Sequence, residues 1–291
     1  MNKYGHFSDD GKEFIVTRYD TPLPWSNYLS NGDYCAIVSS TGGGFSFYKS
    51  HHANMILRRE QRNLITDRPG RYVYIRDNDT NEIFTVNVLP VQNSFDKFEA
   101  IHGLGYTKVK SSSHSIDGEI TYFVPCGVDA EIAAVTLKNT ADKKRNLSVY
   151  FYEELQLGNF EFNEHERAIA SMFQSVKIEN GKICGTYSLW STSREAGDNF
   201  GSDKVWPYKV TVAADVAPDS METSQERFIG VHRDVHNPIA IENDALSNTD
   251  NFGMPAVAAM KWDMSLEADE EFKLEGTVTT DTPLGLNNVT V

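Results

Sequence analysis

Short β-type runs divided by turn residues constrain this chain more than any other feature. Candidate strands are Glu13–Tyr19, Tyr34–Ser39, Arg71–Arg76, Glu82–Val86, Gly105–Lys110, Glu119–Val124, Glu131–Lys138 and Leu147–Leu157. Ala170–Ile178, Lys182–Trp190, Tyr208–Ala213, Val257–Leu266 and Glu271–Thr277 continue the series. Several alternate: Ala133, Val135 and Leu137 would share one face, opposite Thr136 and Lys138. Asn180-Gly181 is the sharpest hairpin signal, because a type I′ turn needs positive φ at both central residues. Asp117-Gly118 and Asp77–Asn81 are further turn candidates. Helical periodicity is weak; Glu161–Arg167 and Ser220–Arg227 are the best short stretches. Strands this numerous predict an all-β fold of two large packed antiparallel sheets with little helix, in one domain.

Composition narrows the partners. With 291 residues, 40% of them hydrophobic, the chain can bury a sizeable core. A net charge of −14 argues against nucleic acid, whose phosphates need clustered Lys and Arg, and against an anionic membrane surface. No apolar run reaches the roughly 18 residues of a membrane span, and the N-terminus lacks a secretory apolar stretch. Cys35, Cys126 and Cys184 form no CxxC pair and lie in apolar or strand-like runs. Buried free thiols in a reducing cytoplasm are the expectation.

No motif supplies chemistry by itself. Thr41-Gly42-Gly43-Gly44-Phe45 lacks phosphate-loop spacing and a following helix, so it reads as a turn entering a strand. His232 and His236 look extended, which would hold them about 13 Å apart, too far to share a metal. His51 and His52 would point to opposite faces of a strand. No metal or cofactor is expected. The acidic pairs Glu153-Glu154 and Glu164/Glu166 are expected at the surface of a chain with 41 acidic residues. Trp25, Tyr28, Tyr48, Trp190 and Trp206 sit beside turn residues, where rings can stack on sugars, fill a subunit interface or belong to the core.

Ordered motifs carry a family likeness. Tyr4-Gly5-His6-Phe7, Phe14–Pro22, Pro24-Trp25-Ser26-Asn27-Tyr28-Leu29 and Ser40–Tyr48 open the series. Asp67-Arg68-Pro69-Gly70-Arg71-Tyr72-Val73-Tyr74-Ile75-Arg76-Asp77 is the most specific member. His102–Thr107, Thr121–Pro125, Asn237–Glu242 and Leu246-Ser247-Asn248 follow in order. Together they resemble the start of cellobiose phosphorylases, glycoside hydrolase family 94, over roughly residues 4–275; Glu161–Asp203 matches less clearly.

The resemblance implies a galactose-mutarotase-like supersandwich over 1–275, with 276–291 as a tail or the start of a linker. In such enzymes an (α/α)6 barrel carries the general-acid Asp and the sugar and phosphate sites. Phosphate there cleaves a β-glycosidic bond with inversion, giving an α-sugar 1-phosphate, in a cytoplasmic homodimer. The barrel is absent from this sequence, so no catalytic residue carries over. The expectation is a non-catalytic domain that packs on the barrel and a second subunit, with phosphate as co-substrate of the parent enzyme only. Two rivals remain open: a stand-alone carbohydrate-binding module using the aromatic set, and a mutarotase-like epimerase. The epimerase would need an acid among His102, His165 and His232 and a base at Glu153 or Glu242.

Overall fold

In the computed structural model, residues 3–60, 66–188 and 206–281 are described. The first part forms β1 (Gly5–Phe7), β2 (Glu13–Val16), β3 (Ser26–Ser30), β4 (Tyr34–Ser39) and β5 (Gly44–Tyr48). Next come β6 (Met55–Leu57), β7 (Arg71–Asp77), β8 (Ile83–Thr85) and β9 (Lys97–Gly103). Longer strands follow as β10 (Tyr106–Ser113), β11 (Ile116–Phe123), β12 (Ala130–Asn139) and β13 (Arg145–Gly158). Two short helices, α1 (Phe160–His165) and α2 (Arg167–Ser171), lead to β14 (Gln174–Glu179), β15 (Lys182–Tyr187), β16 (Lys209–Ala214) and β17 (Ser220–Ser224). Two more, α3 (Gln225–Ile229) and α4 (Ile239–Glu242), precede β18 (Asn251–Phe252), β19 (Ala256–Leu266) and β20 (Glu271–Asp281).

The strands build two antiparallel sheets. The larger has eleven strands in the order β1-β2-β9-β10-β11-β12-β20-β16-β15-β14-β18. The smaller has nine, β17-β19-β13-β6-β5-β4-β3, with β7 pairing β13 and β8 pairing β7. The alternation read in β12 is realised: Ala133, Val135 and Leu137 are buried in the layer between the sheets, while Thr136 and Lys138 stay partly exposed. A second apolar layer lies on the other face of the smaller sheet. There Tyr72, Tyr74, Tyr150 and Tyr152 are roofed by Phe228, Val235 and Ile241 from the α3–α4 segment. Covered on both faces, β13 is buried along almost its whole length.

Turn chemistry explains most of the register. Asn180 and Gly181 both have positive φ and join Glu179 to Lys182, as their dipeptide predicts. Asp77 Oδ1 accepts from the amides of Asp79 (2.8 Å) and Thr80 (3.1 Å), closing the β7–β8 turn. Asp117-Gly118 is not a turn. His114 and Ser115 take the positive-φ positions, and Gly118 lies inside β11, where an added Cβ would come 2.7 Å from the Val86 methyls. Its missing side chain answers a packing need.

Local expectations fail in other places. Ser220–Arg227 divides into β17 and α3, with Ser224 Oγ accepting from the Arg227 amide at 3.3 Å. Ala170–Ile178 begins in α2 instead of a strand. His232 (φ 64°) and His236 lie in turns and not in an extended run, and His51 and His52 share a turn with ring centroids 4.0 Å apart. The cysteines are free, but Cys126 is exposed and Cys35 half-buried, leaving Cys184 as the buried thiol. β20 runs past residue 275 to Asp281, pairing there with Lys209 of β16. Among the described residues no helix is long and apolar enough to cross a membrane.

Candidate functional site

The two most distinctive sequence motifs meet in space. Gly43 and Gly70 form a bridge, the Gly44 amide donates to Pro69 O at 3.2 Å, and the Arg71 amide donates to Gly42 O at 3.0 Å. The close approach demands glycine: a Cβ on Gly70 would lie 2.3 Å from Gly42 O, and one on Gly43 2.3 Å from Asp67 Oδ1. Asp67 fastens the turn by accepting from Ser39 Oγ at 2.5 Å and from Thr41 Oγ1. Burial raises the Asp67 carboxyl above its usual range, opposed by these two hydroxyl bonds. The glycine-rich run is therefore a backbone contact opening β5, as its lack of phosphate-loop spacing suggests.

From this junction Arg71 enters the layer between the sheets. Its Nη2 donates to Glu131 Oε2 at 2.6 Å and its Nη1 to Ile37 O at 3.1 Å. Ser46 Oγ donates to Glu131 Oε1 at 3.2 Å and lies 3.1 Å from the Tyr34 hydroxyl. Glu153, the register partner of Arg71, is 1% exposed, and its Oε2 has no hydrogen-bond partner. Burial, then repulsion from Glu131, pushes its carboxyl well above the ordinary range against the pull of Arg71. Two carboxylates beside one guanidinium resemble an acid–base pair, but Glu131 is 6% exposed and the group is enclosed by both sheets. Its role is to tie them together.

A polar cleft lies elsewhere among the described residues, at the far end of β13. Leu157 and Gly158 have positive φ, and the β13–β6 register shifts between Leu155 and Gly158, a bulge that kinks the strand while Gly158 still pairs with Met55. Tyr152, Glu154 and Gln156 alternate along the bent strand. Arg58 Nη1 donates to Glu154 Oε2 at 2.5 Å, and the Tyr152 hydroxyl donates to Glu154 Oε1 at 3.1 Å. The Arg59 amide donates to Gln156 Oε1 at 2.9 Å, and Gln174 Nε2 donates to Gln156 O at 2.7 Å. From α2, Arg167 Nη2 reaches Gln225 Oε1 at 2.7 Å and its Nη1 lies 3.8 Å from Glu60. Except for Tyr152, these groups, with Asn163 and Glu164, line a cleft of about 250 Å³.

The aromatic candidates are not brought together. Trp25 is half-buried, edge-on to Tyr4 and Phe14 at 5.9 and 5.7 Å. Tyr28, on the edge strand β3, is 74% exposed. Tyr48 and Trp206 are core residues on either side of Tyr208, and Trp206 Nε1 donates to Asn54 Oδ1 at 3.1 Å. Trp190 lies outside the described residues. None of the four described rings lines the polar cleft.

Three of the five epimerase candidates have partners of their own. His102 Nδ1 contacts Thr107 Oγ1 at 3.1 Å, Glu153 faces Arg71 in the interior, and Glu242 is held by Arg233 at 2.5 Å. Glu153 and Glu154, expected at the surface, are both buried, because β13 is covered on both faces. Gln156, Gln174 and Arg167 were not singled out as site residues in the sequence, and Glu154 was named only in an acidic pair expected at the surface. Polar residues at the alternate positions 152, 154 and 156 of an apolar strand were the available signal.

The profile of one protein family, described as the supersandwich domain of glycosyl hydrolase 94, matches residues 12–280. The chain belongs to this family. An N,N'-diacetylchitobiose phosphorylase of Vibrio proteolyticus is 32% identical over 273 residues, covering 93% of this chain and 32% of that protein. A solabiose phosphorylase of Paenibacillus borealis is 28% identical over 273 residues, with 93% and 34% covered. The chain thus spans about a third of the length of these glycosyl hydrolase 94 relatives. Solved structures agree on fold alone. A putative aldose 1-epimerase from Escherichia coli K12 aligns with TM-score 0.51 at 6% identity, covering 89% of this chain and 99% of that one. A bacterial glucoamylase complexed with acarbose gives 0.51 at 4% identity, covering 94% and 36%. The glycosyl hydrolase 94 supersandwich is accordingly a galactose-mutarotase-like β-fold in this chain.

Proposed function

We propose that the chain acts as the non-catalytic N-terminal domain of an inverting disaccharide phosphorylase. Its part is to pack against an (α/α)6 catalytic barrel and a second subunit in the cytoplasm. In the parent reaction phosphate attacks the anomeric carbon while a barrel Asp protonates the leaving oxygen, giving an α-sugar 1-phosphate and a free sugar. The observation that carries this reading is the family match over residues 12–280, on a chain about a third as long as phosphorylase relatives. The enclosed Arg71–Glu131–Glu153 group supports it, since Glu131 ties Arg71 across the two sheets and all three side chains are buried.

The test compares the isolated chain with a full-length enzyme carrying it, each incubated with phosphate and N,N'-diacetylchitobiose or cellobiose. Sugar 1-phosphate is expected from the full-length enzyme alone. Its release by the isolated chain would overturn the non-catalytic assignment.

A further inference from the structure

We propose that the cleft at the bent end of β13 binds a single neutral sugar ring. The first reason is an acceptor without a donor. Gln174 lines the cleft and is 5% exposed; its Nε2 is fixed on Gln156 O at 2.7 Å, and its Oε1 has no partner. That oxygen is itself walled off from solvent, so a bound molecule reaches it with an O–H or N–H donor once the Gln174 amide turns towards the cleft. A buried acceptor left unpaired costs stability, which favours that turn.

Charge decides what kind of donor. Three Arg and three Glu line the cleft, Arg58 is held by Glu154 and Glu60, and Arg167 by Gln225 and Glu60. This balance attracts neither anion nor cation, and an incoming phosphate would meet the carboxylates already placed there. Hydroxyl groups suit it, because each both donates and accepts, and planar amides, guanidinia and carboxylates offer both roles. Size limits the ligand to one ring. The cleft holds about 250 Å³, below the roughly 300–1,000 Å³ of sites that enclose drug-sized molecules.

This inference stands apart from the phosphorylase reading, since it concerns the domain's own surface. The experiment is an NMR titration of the purified chain, following Gln side-chain amides, with glucose, N-acetylglucosamine and inorganic phosphate as separate probes. Saturable shifts of the Gln174 and Gln225 amides are expected with at least one sugar and not with phosphate. Gln174→Leu removes the free acceptor and Arg167→Met removes a rim donor; each should weaken sugar binding about tenfold or more. Arg167 is 44% exposed at its side chain, so its variant decides the matter if Gln174→Leu does not fold. No saturable shift with either sugar, equal binding in folded variants, or the same shifts with phosphate would each overturn the proposal.

Discussion

Arg71 Nη2 donates to Glu131 Oε2 at 2.6 Å, and that bond runs from the smaller sheet to the larger one. Glu153 stands opposite Arg71 on β13, so one guanidinium serves two buried carboxyl groups. Replacing it leaves both without a cation in a water-poor layer. Arg71→Met should therefore cost about 3–5 kcal/mol, the usual penalty for stranding a buried charge. Urea unfolding followed by circular dichroism measures it. A midpoint equal to that of the unsubstituted chain would show that the sheets do not depend on this pair.

Stability should also fall on mild acidification. Burial lowers the His102 imidazole from 6.5 to about 4, opposed only in part by a hydrogen bond to the Trp25 backbone. Between those values an unfolded chain binds a proton that the native one rejects. Stability is thus fully present above pH 6.5 and is lost as pH falls through that window towards about 4. His102→Asn keeps a polar contact for Thr107 and removes the titration. Its unfolding free energy should fall less steeply than that of the parent chain over the same window; equal slopes would place the proton elsewhere.

The glycine junction permits a sharper steric test. An alanine at Gly70 would put its Cβ 2.3 Å from Gly42 O and 2.7 Å from Gly43 Cα, both backbone atoms. Neither can swing aside as a side chain does, so the two loops must separate. Gly70→Ala should destabilise by about 3 kcal/mol. Gly127→Ala meets no atom within 4 Å but sits at φ 77°, which isolates the cost of a positive φ for comparison. Similar melting temperatures for the two variants would argue that the junction tolerates opening.

Legibility followed the range of the forces involved. The alternation of Ala133, Val135 and Leu137 and the Asn180-Gly181 turn depend on neighbours in sequence, and both were readable. Gly118 was misread because its reason is Val86, 32 positions away, which only the fold brings near. Glu153 and Glu154 were placed at the surface because a strand covered on both faces needs a roof, and that roof is Phe228 to Ile241. The ordered motifs gave the family while concealing their own work: Gly43, Gly70 and Asp67 build a backbone contact, not a binding loop. The cleft was invisible because Arg58, Glu154, Arg167, Gln174 and Gln225 come from five separate segments.

Trp206 and Tyr28 test whether aromatic rings contribute to sugar binding at all. Trp206 is 2% exposed and bonded to Asn54, so Trp206→Ala leaves a large cavity and a lone buried amide oxygen. A loss of about 3–5 kcal/mol is expected. Tyr28 is 74% exposed on an edge strand, and Tyr28→Ala should change stability by less than about 0.5 kcal/mol. Neither ring lines the polar cleft, so the cleft proposal requires that Tyr28→Ala leave glucose and N-acetylglucosamine binding unchanged. Thermal melts and the same NMR titration supply both numbers. A Tyr28→Ala chain of normal stability that no longer binds sugar would move the binding surface from the β13 cleft to the edge of β3.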